Sequence, residues 1–301
     1  MVTVQALASA HQYKQIDTDY DPEHGIVWSY MKPHPRPCFS MDLLKELLHH
    51  EANIERSHGT VVHDDQLKPV NYVVFASKVP GIFNLGGDLE RFAKAFRNGD
   101  REALTTYATA CVKGLHRRYV AYDLPLTTIS LVQGKALGGG FECALGSNVL
   151  IAERSAEMGL PEVTFNLFPG MGAWSFLSRK VGPKIAKEMI MSGRIYRGPE
   201  LHELGVVDVL AEDGAGEAAV YDYVNSRRRV RNTTLSMQRV QQLANPITLE
   251  ELTEVTKVWV DSVFSLTERD VQMMEKLVQR QQKFVTRGPT HVAQERAVGG
   301  N

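Results

Sequence analysis

Residues 131–162 read LVQGKALGGGFECALGSNVLIAERSAEMGLPE, and the parsing of this stretch decides the fold. The apolar run Thr127 to Val132, which overlaps its start, has the make-up of a buried strand. The run breaks at Gly134. Three consecutive glycines, Gly138 to Gly140, then lead into Phe141-Glu142-Cys143-Ala144-Leu145, so the pattern is strand, tight turn and first turns of a helix. Glycines in such a turn let backbone N–H groups approach a ligand with no side chain in between. Two carboxylates flank the feature: Glu142 follows the glycines, and Glu162 follows Leu160-Pro161.

The bulk properties narrow the class. A chain of 301 residues holds one large domain or two smaller ones, with ample length to bury a core. Apolar and charged contents of 43% and 23% are ordinary for a soluble globular protein. A formal net charge of -1 gives no global attraction to nucleic acid or to an acidic membrane. Cys38, Cys111 and Cys143 are odd in number and scattered, which argues for a reducing compartment over a disulfide scaffold. No apolar run approaches the ~20 residues of a membrane span, and the basic-then-apolar pattern of a signal peptide is missing. The expected location is cytoplasmic.

Outward from the glycine stretch, strands and helices alternate. Upstream, residues 1 to 40 are mixed, with a strand at Gly25–Met31 and a proline-rich extended loop, KPHPRPCF. Ser40 caps a helix over Met41–Ile54, and the polar stretch Glu55–Lys68 reads as a loop. Asn71–Ala76 is a β-branched, apolar strand. Gly86-Gly87 and then Asp88 mark a turn that caps a helix starting near Leu89. After Asp100 a second helix carries Leu104, Tyr107, Ala108, Cys111 and Leu115 on one face.

Downstream of the glycines come a helix over Glu142–Leu145, a strand at Asn148–Ala152 and a short strand near Glu157–Met158. Another glycine-bearing turn follows at Phe168. Short helices are expected at Gly182–Met191 and Gly198–Leu204, and a strand at Val206–Leu210. From Asp213 the pattern is helical, punctuated by Asn245-Pro246; Leu252, Val255, Val258, Trp259, Ser262, Val263 and Leu266 line one face of the last segment. No internal repeat is evident. Alternating strands and helices imply parallel crossovers and a layered α/β fold.

In a parallel sheet the loops after strands gather at the strands' carboxyl ends, where ligands bind. NLGGDL and KALGGGFE are two such loops. Converging N–H groups there would form an oxyanion hole, in which one donor is worth about 3 kcal/mol of barrier. Two carboxylates crowded at the same point would split their pKa values, one proton-bearing and one ionised. That set suits proton transfer alpha to a carbonyl. Each item also has a plainer reading: the glycine turn as packing, either glutamate as a helix N-terminal charge. Neither loop has the dinucleotide or nucleotide-triphosphate spacing.

The phrase ALGGGFE, then GLPE and FPGMGA, closely resembles the crotonase (enoyl-CoA hydratase/isomerase) superfamily, with NLGGDL at the place of its other oxyanion loop. The likeness covers roughly residues 20 to 285. The wording FNLGGDLERF, GLPEVTFNLFPGMGAWSF and KVWVDS is similar to one branch, the synthases of the diffusible signal factor, cis-2-unsaturated fatty acids used in bacterial quorum sensing.

The resemblance implies a spiral of ββα units over residues 1–210 and a helical region over 211–285 that covers an acyl pocket and mediates assembly; the polar, glycine-bearing composition past Val285 implies a disordered tail over 286–301. It implies Glu142 and Glu162 as the catalytic pair, with Glu162 handling the proton at C2 and Glu142 the water or hydroxyl at C3. It puts the N–H groups of Leu85 and Gly139 in the oxyanion hole, with Gly86 and Gly138 beside them. Leu85 stands where alanine is usual. The implied substrate is a 3-hydroxyacyl chain on acyl carrier protein, dehydrated to the cis-2-enoyl thioester and hydrolysed to free acid. No cofactor or metal is implied. A homotrimer or hexamer is expected, and a membrane sensor kinase is a regulatory partner of that branch.

The alternatives stay open at this point. The nearest is an enoyl-CoA hydratase of fatty-acid oxidation, with CoA as the handle; another is a binding module without turnover, against which two charges in an acyl pocket count. Met171 and Trp259 are either acyl-pocket walls or plain core. Ser226–Arg231 is either a dock for an acidic carrier or a solvated helix end. The pairs His49-His50 and His58 with His63 lack metal-ligand spacing. Cys143 has no neighbouring histidine in sequence and reads as a packed helix cysteine.

Overall fold

A computed structural model describes residues 13–287. It begins with an antiparallel hairpin, β1 (Ile16–Asp21) and β2 (Ile26–Met31). The strand β1, IDTDYD, is too acidic to stand out in sequence. Its charge suits its position at a sheet edge, where exposed acids discourage strand pairing with another chain. Helix α1 (Met41–Arg56) follows, capped by the Ser40 side chain, which accepts the Leu43 N–H.

The stretch Glu55–Lys68, expected to be a loop, instead holds the hairpin β3 (Thr60–His63) and β4 (Gln66–Pro69). Its turn residues Asp64 and Asp65 both have positive φ, 49° and 56°, the handedness that two-residue hairpin turns need. Asp-Asp is a weaker signal of that turn than Asn-Gly, and the outward faces of both strands are polar or exposed.

Thereafter the chain repeats one unit: a long strand, a short strand, then helix. The first unit is β5 (Tyr72–Ser77), β6 (Ile82–Asn84), α2 (Leu89–Asn98) and α3 (Arg101–Tyr119). The second is β7 (Thr127–Val132), β8 (Lys135–Leu137) and α4 (Gly139–Leu145). The third is β9 (Val149–Glu153), β10 (Glu157–Gly159), a 3-10 turn at Pro161–Phe165 and α5 (Ala173–Ser192). Then come β11 (Ile195–Arg197), α6 (Gly198–Glu203), β12 (Val209–Ala211) and four helices, α7 (Gly216–Arg227), α8 (Arg231–Ala244), α9 (Leu249–Val263) and α10 (Glu268–Arg287).

Long strands make a six-stranded sheet, β1-β2-β5-β7-β9-β12, parallel from β2 onward; short strands make a four-stranded sheet, β11-β10-β8-β6. This is the ββα spiral with a helical C-terminal region. The larger sheet is buried on both faces, which is why its strands read as continuous apolar runs. On one side Val73, Phe75 and Val132 join the main core; on the other Ile129 and Leu131 pack with Val220 and Val224 of α7.

Several boundaries differ from expectation. The helix expected from Glu142 begins at Gly139, so two of the three glycines lie in its first turn. The helix expected to start at Gly182 is the second half of α5, which continues across a break where Gly182 takes φ 82° ahead of Pro183. The last strand is shifted to Val209–Ala211, so residue 210 lies inside it rather than at a boundary. On α9 the inward face is Leu252, Thr256, Trp259, Val260 and Val263, while Val258 is 60% exposed. Of the expected tail, Thr286 and Arg287 close α10 and residues 288–301 lie outside the described residues.

Candidate active site

Both glycine loops follow neighbouring short strands, β6 and β8, and meet at one end of the smaller sheet. Gly86 makes the meeting possible. It takes φ +94°, and a Cβ there would stand 2.6 Å from the Leu137 carbonyl and 3.0 Å from the Gly139 nitrogen. Gly86 thus lies between the loops and does not line the cavity in front of them. Its own N–H donates to Asn84 Oδ1 at 2.8 Å.

The first loop is laced down by main-chain bonds. The Leu85 N–H donates to the Pro37 carbonyl at 2.8 Å, and the Phe39 N–H donates to the Gly86 carbonyl at 2.8 Å. The Asp88 N–H donates to the Tyr107 hydroxyl, which itself donates to the Phe39 carbonyl. The Leu85 amide, expected in the oxyanion hole, is therefore committed to the proline-rich loop; its side chain faces the cavity instead. Among the described residues the Gly87 and Gly139 N–H groups have no partner. They are close neighbours: a Cβ added at Gly139 would stand 3.3 Å from the Gly87 nitrogen. The second glycine of NLGGDL was the sequence signal for Gly87.

Glu142, Glu162, Gly87, Gly138, Gly139, Met171 and Trp259 all border one cavity of about 300 Å³. Apart from Lys135, whose Nζ lies 3.2 Å from the Glu157 carboxylate, the rest of its wall is mostly apolar, with Leu85, Phe92, Leu137, Phe165, Leu167 and Leu277. Trp259, from α9, is 2% exposed and packs edge-on to Phe92 with ring centroids 4.9 Å apart. Leu277 comes from α10, so the C-terminal helices close the cavity. Phe92, Leu167 and Leu277 were not singled out in the sequence, because any of them reads equally well as core.

Glu142 is 2% exposed. Its Oε1 accepts the N–H groups of Met171 at 2.8 Å and Ala173 at 3.0 Å, where the FPGMGA turn runs into α5. Glu162 leaves the 3-10 turn after β10 and lies over Gly138, which takes φ +53° and has no room for a Cβ beneath that carboxyl. Its Oε2 is buried with no hydrogen-bond partner among the described residues. Burial pushes both carboxyls above the usual carboxylate range; for Glu162 the negative charge of Glu142 adds to burial, while for Glu142 the two amides oppose it. The two amides make Glu142 the more readily ionised member of the pair, and Glu162 holds its proton to higher pH.

The remaining sequence features fall elsewhere. His50 is buried on Ser29, 2.8 Å from its hydroxyl, and burial pushes its pKa down to about 4. The arginines of Ser226–Arg231 do not border the cavity, and Arg227 stacks on Tyr223. Cys143 accepts a hydrogen bond from Arg118. Among the described residues no group of three or more His, Cys, Asp or Glu side chains could hold a metal ion, and no helix is long and apolar enough to cross a membrane.

Comparison with known proteins adds to this geometry. A family profile described as Enoyl-CoA hydratase/isomerase matches residues 60–221, more than half of the chain. The chain is 33% identical over 178 residues to the mitochondrial methylglutaconyl-CoA hydratase of Rattus norvegicus, a match covering 59% of this chain and 54% of that protein. It is 36% identical over 202 residues to the mitochondrial enoyl-CoA hydratase domain-containing protein 2 of Bos taurus, covering 66% of this chain and 62% of that protein. The chain thus spans between half and two thirds of the length of these curated relatives. Among solved structures, the enoyl-CoA hydratase of Bacillus halodurans superposes with a TM-score of 0.74 at 16% identity, over 88% of this chain and 100% of that one. That likeness is one of fold.

Proposed function

The chain belongs to the enoyl-CoA hydratase/isomerase family, and from that premise we propose that it adds water reversibly across the 2,3 double bond of an acyl-CoA thioester. The observation that carries this reading is the meeting of four groups at one apolar cavity: the unpartnered N–H groups of Gly87 and Gly139, and the carboxyls of Glu142 and Glu162.

The thioester oxygen accepts from both amides, which stabilise the enolate as charge moves onto that oxygen; one such donor is worth about 3 kcal/mol. Ionised Glu142 takes a proton from water as its oxygen bonds to C3. Protonated Glu162 then delivers its proton to C2 as the enolate collapses. This division follows the electrostatics: Glu142 is served by two amide donors, whereas Glu162 has a buried oxygen without one. Dehydration reverses every step, with Glu162 taking the C2 proton and Glu142 protonating the departing hydroxyl. The acyl tail lies along Phe92, Leu167, Trp259 and Leu277.

A narrower reading draws support from the motif wording FNLGGDLERF and GLPEVTFNLFPGMGAWSF: dehydration of a 3-hydroxyacyl chain on acyl carrier protein, then hydrolysis to a cis-2-enoic acid. The relatives' names support the CoA-linked hydration over it. Incubation with matched CoA and carrier-protein substrates, with products read by mass spectrometry, separates the two. Hydrated acyl-CoA supports the first, free cis-2-enoic acid the second, and turnover of neither refutes both. Assembly into a homo-oligomer is supported by α8, which buries none of its 14 residues within one chain and exposes Met237, Val240 and Leu243.

A further inference from the structure

Adjoining the main cavity, with which it shares Gly87, Gly139, Glu142 and Met171, lies a small space of about 30 Å³ also bordered by Tyr107, Cys111, Arg118 and Cys143, room for about one water molecule. Its basic wall is Arg118. Its side chain is 5% exposed, its Nε lies 3.1 Å from the fully buried Glu51 carboxylate, and its guanidinium carbon sits 4.7 Å over the Phe75 ring. Its Nη1 donates to Cys143 Sγ at 2.8 Å.

Stability alone is a poor reason to bury this group, because desolvating a guanidinium and a carboxylate consumes most of what their attraction returns. What Arg118 touches is more informative. Cys143 directly follows Glu142 on α4, a seven-residue helix that starts at Gly139. A helix that short has little cohesion of its own, and no side chain caps its N-terminus. Yet it carries both a main-chain donor, Gly139, and an acid, Glu142. Its carboxyl end is gripped by Arg118, which is itself fixed on α3 by Glu51 of α1 and by the Phe75 ring of β5.

We propose that Arg118 is a positioning residue for the hydration site: through its bond to Cys143 Sγ it holds α4 so that the Gly139 N–H and the Glu142 carboxyl face the substrate together. This rests on the reading of Glu142 and Gly139 given above. Burial keeps the Cys143 thiol above its ordinary pKa, so the sulfur is a neutral acceptor and takes no part in bond making.

The test deletes the sulfur and leaves the ion pair intact. Cys143→Ala should lower kcat about tenfold, the scale of one lost hydrogen bond, with KM within about twofold. Cys143→Ser, whose hydroxyl can accept from Arg118, should recover most of the loss. Hydrogen exchange gives a readout independent of turnover: α4 amides should exchange about tenfold faster in Cys143→Ala and at the wild-type rate in Cys143→Ser, with the sheet unchanged. Removing both charges as Arg118→Met with Glu51→Gln should match Cys143→Ala in kcat, and adding Cys143→Ala to that pair should change nothing further.

Wild-type kcat and exchange in Cys143→Ala would overturn the proposal, as would a Cys143→Ala chain that fails to fold, since the sulfur would then serve the core. An additive triple variant would overturn it too. A wild type inactive on every enoyl thioester would refute the hydratase reading instead, and the exchange data would still decide whether Arg118 anchors α4.

Discussion

The Met171 amide points at Glu142, donating to its Oε1 at 2.8 Å, so the FPGMGA turn and the glycine helix are joined through a carboxyl of the proposed acid–base pair. The Ala173 amide reaches the same oxygen. Glutamine at 142 can keep both bonds through its amide oxygen, so Glu142→Gln should fold with a near-wild-type melting temperature. It cannot take a proton from water. Its hydration rate, followed by loss of the conjugated enoyl thioester, should fall by about 10²- to 10⁴-fold, as should that of Glu162→Gln. Near-wild-type turnover in either variant would remove that residue from the mechanism.

Stability should depend on pH with a definite sign. Burial raises Glu162 from an ordinary value of 4.5 to about 8 and Glu142 to about 7. Between 4.5 and those values the folded chain holds protons that the unfolded chain has released, so unfolding free energy falls as pH rises. The contribution of each neutral carboxyl is complete below pH 4.5 and is lost as pH passes through its folded value. Glu51, raised by burial to about 7 against the opposing charge of Arg118, acts in the same direction. Melting temperature should therefore decline from pH 5 to pH 8, and Glu162→Gln should melt above the wild type at pH 8 but close to it at pH 5. An equal offset at both pH values would show that Glu162 is not proton-linked to folding.

Gly138→Ala tests the contact between the glycine loop and Glu162. The residue holds φ +53°, and its Cβ would run into the Glu162 carboxyl. The backbone alone costs on the order of 1–3 kcal/mol for a residue with a side chain. The variant should unfold at lower denaturant concentration, and what folds should have lost most of its activity through displacement of Glu162. Thr164→Ala, exposed in the same turn, is the control and should be close to wild type in activity.

Gly87 carries the test of the proposed oxyanion hole, with Leu85 testing the cavity wall beside it. The Leu85 amide is turned to the Pro37 carbonyl, so Leu85→Ala should leave kcat within about threefold and act on KM through the cavity wall. A Cβ at Gly87 would stand 2.6 Å from the Phe92 ring. Gly87→Ala therefore shifts the loop, and displacing a donor should cost about tenfold or more in kcat. Wild-type kcat in Gly87→Ala would remove the Gly87 N–H from the proposed oxyanion hole.

Much of this site was legible before any coordinates, because chemistry and glycine leave strong marks. ALGGGFE and GLPE located both carboxyls, and the continuous apolar runs at Tyr72–Ser77 and Thr127–Val132 located the buried sheet. What was not legible depends on partners distant in sequence. No local pattern says that the Leu85 amide meets Pro37, 48 positions away, which makes Gly87 the proposed donor. The short strands β6, β8 and β11 have three residues each, too few to show alternation. The buried pair of Glu51 and Arg118 sits on helices whose other charges are solvated, so neither residue looks unusual in sequence.

Trp259 offers a test of where the acyl tail lies. The indole, from α9, packs directly on Gly170, at which no Cβ could be added without collision, and edge-on to Phe92 of α2. It therefore joins the C-terminal helices to the turn that supplies the Met171 amide, and it walls the cavity on that side. Trp259→Ala would leave a void where a large aromatic ring stood, a loss of about 3–5 kcal/mol in a rigid core. Trp259→Phe keeps most of the packing and opens a smaller space. If the ring limits the tail, Trp259→Phe should raise kcat/KM for acyl chains one or two carbons longer than the best wild-type substrate and lower it for shorter ones. If the ring is only core, the variant should lose stability and activity evenly across chain lengths. A chain-length series on the two proteins, compared as ratios of kcat/KM, distinguishes these outcomes because a uniform loss of folded protein cancels from the ratio.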